Sequence, residues 1–388
     1  MKKDSKAVKL HRKLGGKFEI KPRSKVTKET LPLLYTPGVA EACLAIKDKP
    51  DEVYNLTRKS NTVAVITDGT AILGLGDIGP EAGLPVMEGK AILFKEFGNV
   101  DAIPILLNTK DSDEIVKTII NIAPSFGGIN LEDIAAPRCF EIENRLKEAL
   151  EMPIFHDDQH GTAIVTSAAV INILRLTKKD KENFKIVING AGAAGIAIAK
   201  LLLELGFKDI ILCDRVGILH PSKNLNEAKL EIHHQTNPRK VEGMLVDAIK
   251  GADLFIGVSA GNVLSGEMVK LMNERSAILA MANPTPEIHP NVAKEAGAYI
   301  VGTGRSDFPN QINNLSVFPG IFRAALDTRS AQINNEMMTA AAKALAYTIY
   351  DDELTTDYII PSAFNKEAHN RLIKAVKEAA IASGVARL

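Results

Sequence analysis

Two pairs of adjacent carboxylic acids are the first residues of this sequence whose type and spacing suggest chemistry. Glu132 and Asp133 stand in INLEDIAAP, and Asp157 and Asp158 stand in PIFHDDQHGTA. Acids at the ends of apolar segments can converge on a hard divalent cation, because such ions prefer carboxylate and water oxygens as ligands. Adjacent acids are also common on solvated protein surfaces, and spacing alone favours that simpler interpretation.

The segment HDDQH places His156 and His160 four residues apart, as in the zinc motif HExxH. That motif uses a glutamate as general base, and here an aspartate stands at its position. The segment also begins shortly after Pro153, and Gly161 interrupts the helix that the motif needs. We therefore reject a zinc hydrolase and expect both histidines to line a polar cleft.

A second kind of chemistry is indicated by a GxGxxG pattern that follows an apolar strand, FKIVIN, and opens a helix. The first glycine makes a tight turn, the second lets a pyrophosphate approach the backbone, and the third lets helix and strand pack closely. The N–H groups at the helix N-terminus then face the phosphates. The sequence therefore predicts a dinucleotide-binding turn formed by Gly190, Gly192, Ala193, Ala194 and Gly195.

The residues after the next strand, DIILCD, bear on the choice of dinucleotide. Asp214 ends that strand, where an acid accepts hydrogen bonds from the ribose 2′-hydroxyl and repels a 2′-phosphate. Arg215 follows it, and an arginine can bind a phosphate bidentately. An arginine that points into solvent is the alternative. We expect a preference for NAD with measurable use of NADP.

Gly74, Gly76 and Gly79 repeat the same glycine pattern in a different setting. They run into Pro80 and Pro85, so we expect that no long helix follows them. We interpret this segment as a tight functional turn and not as a phosphate-binding loop.

The elements that must position these residues alternate between strands and helices, which indicates an α/β fold. From about residue 183 the alternation is regular and predicts a doubly wound parallel sheet, a Rossmann-like NAD(P) domain. Residues 1–160 form a predicted α/β amino-terminal domain, and residues 161–388 form the dinucleotide domain with closing helices at 331–350 and 366–383. GTAIVTSAAVINILRL is a predicted linking helix. Ser5 caps a predicted amino-terminal surface helix with Ala7, Leu10 and Leu14 on one stripe.

Composition excludes several other classes of protein. Lys plus Arg and Asp plus Glu each number 47 in 388 residues, so the basic excess that nucleic-acid binders normally carry is absent. Three scattered cysteines do not make a disulfide framework, which favours a reducing cytoplasm. No apolar run is long enough for a membrane helix. We therefore expect no membrane as a partner, and the neutral charge leads us to expect no nucleic acid.

A series of motifs along nearly the whole chain resembles the malic enzymes, in particular the short prokaryotic type. In family order these motifs are YTPGVA, TDGTAILGLGDIG, PVMEGKAILFK, PSFGGINLEDI, HDDQHGTA, the glycine turn, ANPTPEI and INNLSVFPG. The resemblance implies oxidative decarboxylation of malate to pyruvate and carbon dioxide with NAD(P)⁺ as oxidant. It also implies a small-molecule substrate and a homo-oligomer, with a dimer favoured.

The resemblance assigns roles to individual residues of this chain. It implies that Lys90 is the general base, supported by Asp157, and that Tyr35 is the general acid. It also implies that Mg²⁺ or Mn²⁺ is held by Glu132, Asp133 and Asp158, and that the substrate is held by Asn283 and Asn314. Lys90 stands among apolar residues, and burial lowers the pKa of a lysine, which suits a base.

One departure from the family pattern concerns the substrate. Longer members carry an arginine after TDG that binds the substrate carboxylate, and this chain has Ala71 there. Two alternative functions stay open. One is malolactic cleavage or oxaloacetate decarboxylation at the same site, and the other is a dinucleotide sensor without catalysis. A sensor without catalysis would not need the base, the acid and the three metal-binding carboxylates, so the presence of these residues weakens that alternative.

Overall fold

The computed structural model describes residues 4–223 and 225–388, which form two sheets covered by helices. The strands of the first sheet are β1 (Thr62–Thr67), β2 (Asp101–Leu106), β3 (Gly128–Leu131) and β4 (Ile154–His156). The strands of the second sheet are β5 (Lys185–Asn189), β6 (Asp209–Asp214), β7 (Gly217–Ile218), β8 (Leu254–Gly257), β9 (Ala277–Ala280) and β10 (Ile300–Thr303).

Both sheets are wound outward from an interior strand. The first has the order β2-β1-β3-β4 and is entirely parallel. The second has the order β10-β9-β8-β5-β6-β7 and is parallel except for the short edge strand β7. The predicted α/β fold with a doubly wound sheet is confirmed. In such sheets ligands bind outside the carboxyl ends of the strands, where the strand order reverses.

The helices before the second sheet are α1 (Lys6–Leu14), α2 (Leu31–Leu34), α3 (Val39–Asp48), α4 (Val53–Leu56), α5 (Pro80–Gly98), α6 (Ser112–Ile122), α7 (Arg138–Ala149) and α8 (Thr162–Thr177). The later helices are α9 (Ala193–Glu204), α10 (Glu227–His233), α11 (Leu245–Ile249), α12 (Gly266–Val269), α13 (Pro290–Glu295), α14 (Phe318–Asp327), α15 (Asn335–Ala346) and α16 (Lys366–Ala382). The predicted linking helix corresponds to α8, and the predicted closing helices correspond to α15 and α16.

Aromatic packing joins the carboxy-terminal helices to the first sheet. The Phe94 ring of α5 lies 4.8 Å from the Phe318 ring and 5.4 Å from the Phe322 ring, both on α14. Met87 and Ala91 occupy the same buried stripe of α5 as Phe94. This contact fixes α5 between the first sheet and the helices of the second, and α5 carries Lys90.

Helix α5 corrects one expectation, because a helix of 19 residues follows the glycine turn directly. Pro80 occupies the first helical position, where a missing N–H has no cost because that N–H would have no partner within the helix. Pro85 lies inside the helix and removes one hydrogen bond, to the carbonyl of Glu81. The buried stripe of α5 compensates for that loss, so the helix continues through Pro85.

The amino-terminal helices carry apolar side chains that the rest of the described chain does not cover. Helix α1 begins at its predicted cap, since the Ser5 hydroxyl accepts a hydrogen bond from the Val8 N–H at 3.3 Å. Leu10 and Leu14 are each about half exposed, and helices α1 to α4 contain no buried residue. Within the described part of the chain, no helix has both the length and the hydropathy to cross a bilayer.

Candidate active site

The carboxyl ends of β3 and β4 place both acid pairs at one edge of the first sheet. Leu131 at the end of β3 is in register with His156 at the end of β4, so the residues that follow them are neighbours in space. Asp157 begins a single π-helical turn that ends at Gly161. Such turns occur frequently at functional sites. The turn separates the side-chain directions of Asp157 and Asp158, which therefore have different partners.

The Lys90 amine lies at the centre of a buried polar cluster. Its Nζ donates to Asp157 Oδ2, and it lies 2.9 Å from Glu132 Oε1. Asn314 Nδ2 also donates to Asp157 Oδ2, at 2.5 Å. Asn130 Nδ2 donates to Glu132 Oε2 at 2.8 Å. The structure thus brings together Lys90, Asp157 and Asn314, as the resemblance implies.

The charge state of Lys90 differs from the sequence-based expectation. Burial lowers the pKa of this lysine, as expected, but the Asp157 and Glu132 carboxylates outweigh burial. The pKa of Lys90 therefore lies above its ordinary value, because the two carboxylates favour the charged form of the side chain. The expectation was wrong because sequence shows the burial of a lysine but not the anions that surround it.

Three carboxylates beside Lys90 have the geometry of a divalent-cation site. Glu132, Asp133 and Asp158 each offer an oxygen, and these oxygens lie within 4.8 Å of one another. Asp133 Oδ2 is buried and has no hydrogen-bond partner, while the Asp133 N–H donates to Asp158 Oδ2 at 2.8 Å. A set made only of oxygen ligands suits Mg²⁺ or Mn²⁺. The residues present therefore fit the expected metal ion.

The electrostatics of the same three residues agree with that fit. Burial first, and then repulsion from Asp158 and Glu132, raise the pKa of Asp133 to about 9. Burial also raises the pKa of Glu132 to about 7, against the lowering effect of Lys90. Such crowding of carboxylates disfavours their charged forms. A divalent cation bound there would favour the charged forms of all three carboxylates, because it attracts their negative charges.

The predicted dinucleotide turn joins β5 to the N-terminus of α9. Gly190 has a φ of +125°, and a Cβ on it would lie 2.5 Å from the Val258 carbonyl oxygen. A Cβ on Gly195 would lie 1.8 Å from the Gly190 carbonyl oxygen. Only glycine fits at both positions. Ala193 and Ala194 form the first turn of α9, so their N–H groups stand at the helix N-terminus as predicted.

The acid expected to bind the ribose has a partner that the sequence analysis missed. Lys229 Nζ on α10 lies 2.6 Å from Asp214 Oδ2, and the Val216 N–H donates to Asp214 Oδ1 at 2.9 Å. Arg215 is exposed beside them. No local signal identifies Lys229, because it lies on a helix 15 residues beyond the strand end that it contacts.

The backbone of the second glycine segment lies close to the loops that carry two of the predicted site residues. A Cβ on Gly74, which has a φ of +73°, would lie 2.6 Å from the Asn283 carbonyl oxygen. The Ala71 N–H donates to the Asp133 carbonyl oxygen at 2.9 Å. This segment therefore contacts both the loop of Asn283 and the loop of Asp133. Asn283 itself is exposed in the loop after β9.

Tyr35 is a predicted catalytic residue that the structure does not bring to Lys90 and Asp157. It follows α2 in the extended amino-terminal segment, and it is 67% exposed. Lys90, in contrast, is 7% exposed and is surrounded by the partners described above. Within the described part of this single chain, Tyr35 is not hydrogen-bonded to that cluster.

Comparisons with known proteins agree with the geometry. The family model "Malic enzyme, N-terminal domain" matches residues 16–147, and "Malic enzyme, NAD binding domain" matches residues 159–381. The chain belongs to the malic enzyme family. The bifunctional malic/malolactic enzyme of Bacillus subtilis is 54% identical over 385 residues, which cover 98% of this chain and 94% of that protein. The NAD-dependent malic enzyme of Geobacillus stearothermophilus is 55% identical over 376 residues, covering 96% and 78%.

Solved structures give the same result for the fold. The crystal structure of the NAD-dependent malic enzyme from Thermotoga maritima superposes on this chain with a TM-score of 0.93. The two chains are 50% identical, and the match covers 96% of this chain and 99% of that one. The resemblance inferred from the motifs is thereby confirmed, and with it the prediction of an NAD(P)-dependent, malate-decarboxylating oxidoreductase.

The histidines of this malic enzyme do not form a metal site. Among the described residues, the only group of three close metal-type ligands is Glu132, Asp133 and Asp158. His160 Nε2 lies 2.7 Å from Glu143 Oε1 and lines a cavity of about 1100 Å³ between α7 and α9, as expected. His156 is fully buried and does not line a cleft, because it is the last residue of β4.

Two further polar residues support this edge of the sheet. Asn130 orients Glu132, and its position in the buried strand two residues before that acid is a signal that could have identified it. Arg138 donates to Asp68 Oδ2 at 2.7 Å and to the Lys110 carbonyl oxygen. It therefore serves as an ion-pair partner at this edge of the sheet.

Proposed function

We propose that this chain oxidises and decarboxylates malate to pyruvate and carbon dioxide with NAD(P)⁺. The observation that carries the proposal is the position of the Lys90 amine. It contacts Asp157 on one side and a carboxylate of the cation site, Glu132, on the other. A base next to a cation site can reach a hydroxyl group that the cation also contacts. Absorbance at 340 nm with malate, Mn²⁺ and each dinucleotide in turn tests the proposal.

In the proposed reaction the neutral amine of Lys90 accepts the proton of the malate C2 hydroxyl. A divalent cation at the carboxylate site would favour that neutral form, because it would offset the negative charge of Glu132 that raises the pKa of Lys90. Asp157 holds the amine in place and stabilises its charged form, and Asn314 fixes the orientation of the Asp157 carboxylate. Asn283 and Asn314 would also hold the substrate through their side-chain amides. Hydride transfer is the chemistry of the nicotinamide, and the protein supplies its orientation.

The metal ion would be held by Glu132, Asp133 and Asp158. When bound, a divalent cation supplies Lewis-acid stabilisation of the negative charge that develops as carbon dioxide leaves. Two of the three carboxylates are anchored independently of any ion. Asn130 holds Glu132, and the Asp133 backbone holds Asp158. This anchoring keeps the oxygens close together before a cation arrives.

We propose that Tyr35 protonates C3 of the product enolate across the interface of a homodimer. In the single chain Tyr35 and its neighbours Leu33 and Leu34 are exposed. Residues 4–30 contain nine Lys or Arg and three Asp or Glu, whereas the whole chain is neutral, so the remainder has an acidic excess. A second copy of the chain therefore offers charge complementarity to this segment together with apolar surface to cover it.

Both dinucleotides are proposed as cofactors, with NAD preferred. Asp214 accepts hydrogen bonds from a ribose 2′-hydroxyl, which favours NAD. Lys229 compensates the charge of Asp214, and the exposed Arg215 adds a second cation, so a 2′-phosphate meets less repulsion. Ratios of kcat/KM for NAD⁺ and NADP⁺ measure this preference.

Malolactic cleavage is a second candidate reaction, favoured by one specific relative. The Bacillus subtilis protein is called a bifunctional malic/malolactic enzyme and matches nearly the whole of this chain. Both reactions need the same base, cation site and dinucleotide. Product analysis separates them, since lactate indicates the malolactic reaction and pyruvate indicates oxidative decarboxylation.

Two general features complete the proposal. We propose that residues 1–160 form the catalytic domain and residues 161–388 the dinucleotide domain, with α8 at the start of the second.

We also propose a cytoplasmic location. The three cysteines of the described chain, Cys43, Cys139 and Cys213, are all free, which fits a reducing compartment.

A further inference from the structure

Glu287 is a buried acid that the proposed reaction does not use. Its exposed fraction is 0%, and among the described residues no lysine, arginine or histidine forms an ion pair with it. Its two oxygens accept backbone hydrogen bonds, Oε1 from the Ser259 N–H at 2.9 Å and Oε2 from the Ala282 N–H at 3.0 Å. Burial raises its pKa. A buried acid without a cation is costly to a protein, so its presence calls for an explanation.

The two hydrogen bonds join loops that lead to different ligands. Ala282 lies in the loop after β9, directly before Asn283. Ser259 lies in the loop after β8, and its Oγ accepts a hydrogen bond from Asn189 Nδ2 at 2.8 Å. Asn189 directly precedes the dinucleotide turn. Glu287 thus connects the loop of a proposed substrate ligand with the turn that binds the cofactor.

The surroundings of Glu287 are shaped to admit a carboxyl group. A Cβ on Gly257, at the end of β8, would lie 2.3 Å from Glu287 Cδ. Two N–H donors converge there, and only a carboxylate accepts from both with its two oxygens. A glutamine of the same shape would direct its NH₂ group toward one of these donors. That donor would then be buried without a partner.

We propose that Glu287 is a positioning residue that couples malate binding to dinucleotide binding. It fixes the spacing between the Ser259 loop and the Ala282 loop, and through Ala282 it fixes Asn283. The Asn283 carbonyl in turn abuts Gly74, so the substrate loop is held on both sides. The substrate half of this inference rests on the proposed role of Asn283, whereas the cofactor half does not.

The matched control is Asp253, a buried carboxylate at the amino ends of the strands of the same sheet. Asp253 is 5% exposed, accepts the Lys185 N–H at 2.9 Å and pairs with Lys179 Nζ at 2.6 Å. It ties the amino ends of β5 and β8 together, far from the carboxyl ends where ligands bind. Asp253→Asn therefore removes a comparable buried anion without touching the binding loops.

The experiment compares Glu287→Gln and Asp253→Asn in the full chain. We expect Glu287→Gln to raise KM for malate at least tenfold, to weaken NADH binding measured by NADH fluorescence, and to lower kcat less than it raises KM. Asp253→Asn should lower the unfolding temperature and leave both binding constants unchanged. If both variants lose the same stability and neither changes KM or NADH affinity, Glu287 is only structural and the proposal is wrong.

Two additional variants keep the inference testable. If Glu287→Gln does not fold, Ser259→Ala removes the hydrogen bond from Asn189 and leaves Glu287 in place. The proposal requires this variant to bind NADH more weakly, and wild-type affinity would overturn it. Asn283→Ala tests the substrate assignment separately. Unchanged malate KM in that variant removes the proposed role of Asn283, while weaker NADH binding by Glu287→Gln still supports the link to the cofactor turn.

Discussion

Replacing Lys90 by methionine tests the proposed base most directly. Methionine has nearly the length of lysine and no charge, so the buried stripe of α5 remains filled. The variant loses the amine that contacts Asp157 and Glu132. General-base catalysis contributes about 10²- to 10⁴-fold to a rate. At about 1.4 kcal/mol for each factor of ten, this is a loss of about 2.8–5.6 kcal/mol of transition-state stabilisation.

Stability changes in the same variant through the unpaired carboxylates. Removing one partner of a buried ion pair costs about 3–5 kcal/mol when the remaining charge stays buried. Burial already raises the pKa of Asp157 to about 7 despite the opposing effect of Lys90. Without the amine, this carboxyl takes up a proton more readily. Because an acid whose pKa is raised in the folded state destabilises the fold above its unfolded pKa, the stability loss should grow as pH rises.

The assay follows NADH formation at 340 nm with saturating malate, Mn²⁺ and NAD⁺, and NADH affinity is measured by fluorescence. Lys95→Met is the matched control, because Lys95 lies on the same helix, is 56% exposed and pairs with Asp101 at 2.8 Å. A surface pair contributes little, about 0–1 kcal/mol. We expect Lys90→Met to lose at least 100-fold in kcat, a fall within the range for loss of a general base, with NADH affinity unchanged. A kcat within tenfold of wild type, or an equal loss in Lys95→Met, would refute the assignment.

Three more predictions follow from the site. Chelation by EDTA should abolish malate oxidation, and Mn²⁺ or Mg²⁺ should restore it in the wild type but not in Asp158→Asn; activity that resists the chelator would exclude the cation site. Tyr35→Phe should slow pyruvate formation more than oxaloacetate reduction, and mixing it with Lys90→Met should restore part of the activity if Tyr35 acts across a dimer. Inactive mixtures would place Tyr35 and Lys90 in one chain's site. Lys229→Met should lower kcat/KM for NADP⁺ by about tenfold relative to NAD⁺, since a hydrogen bond to a charged group contributes about 1.5–3 kcal/mol. An unchanged ratio would mean that Lys229 has no effect on binding of the 2′-phosphate.

The sequence by itself determined those features that depend on neighbouring residues. Strands that are buried on both faces appear in the sequence as short apolar runs. The alternation of such runs with helices indicates a parallel sheet. The dinucleotide turn is equally local at Gly195, because a Cβ there would lie 1.8 Å from the Gly190 carbonyl oxygen, five residues earlier in the chain. The cap at Ser5 and the helix that it begins were predicted for the same reason. Local rules failed at Pro85, where packing of α5 outweighs one lost hydrogen bond.

Only the tertiary structure decided how the site residues divide their work. Asp157 and Asp158 are adjacent in sequence, yet the π-helical turn directs one to Lys90 and leaves the other beside Asp133. Asn314 reaches Asp157 across 157 residues, and Lys229 reaches Asp214 from a separate helix. The anions around Lys90, which raise its pKa, come from two different strand ends. These contacts depend on strand order and helix packing, which bring distant segments together and which no short stretch of sequence specifies.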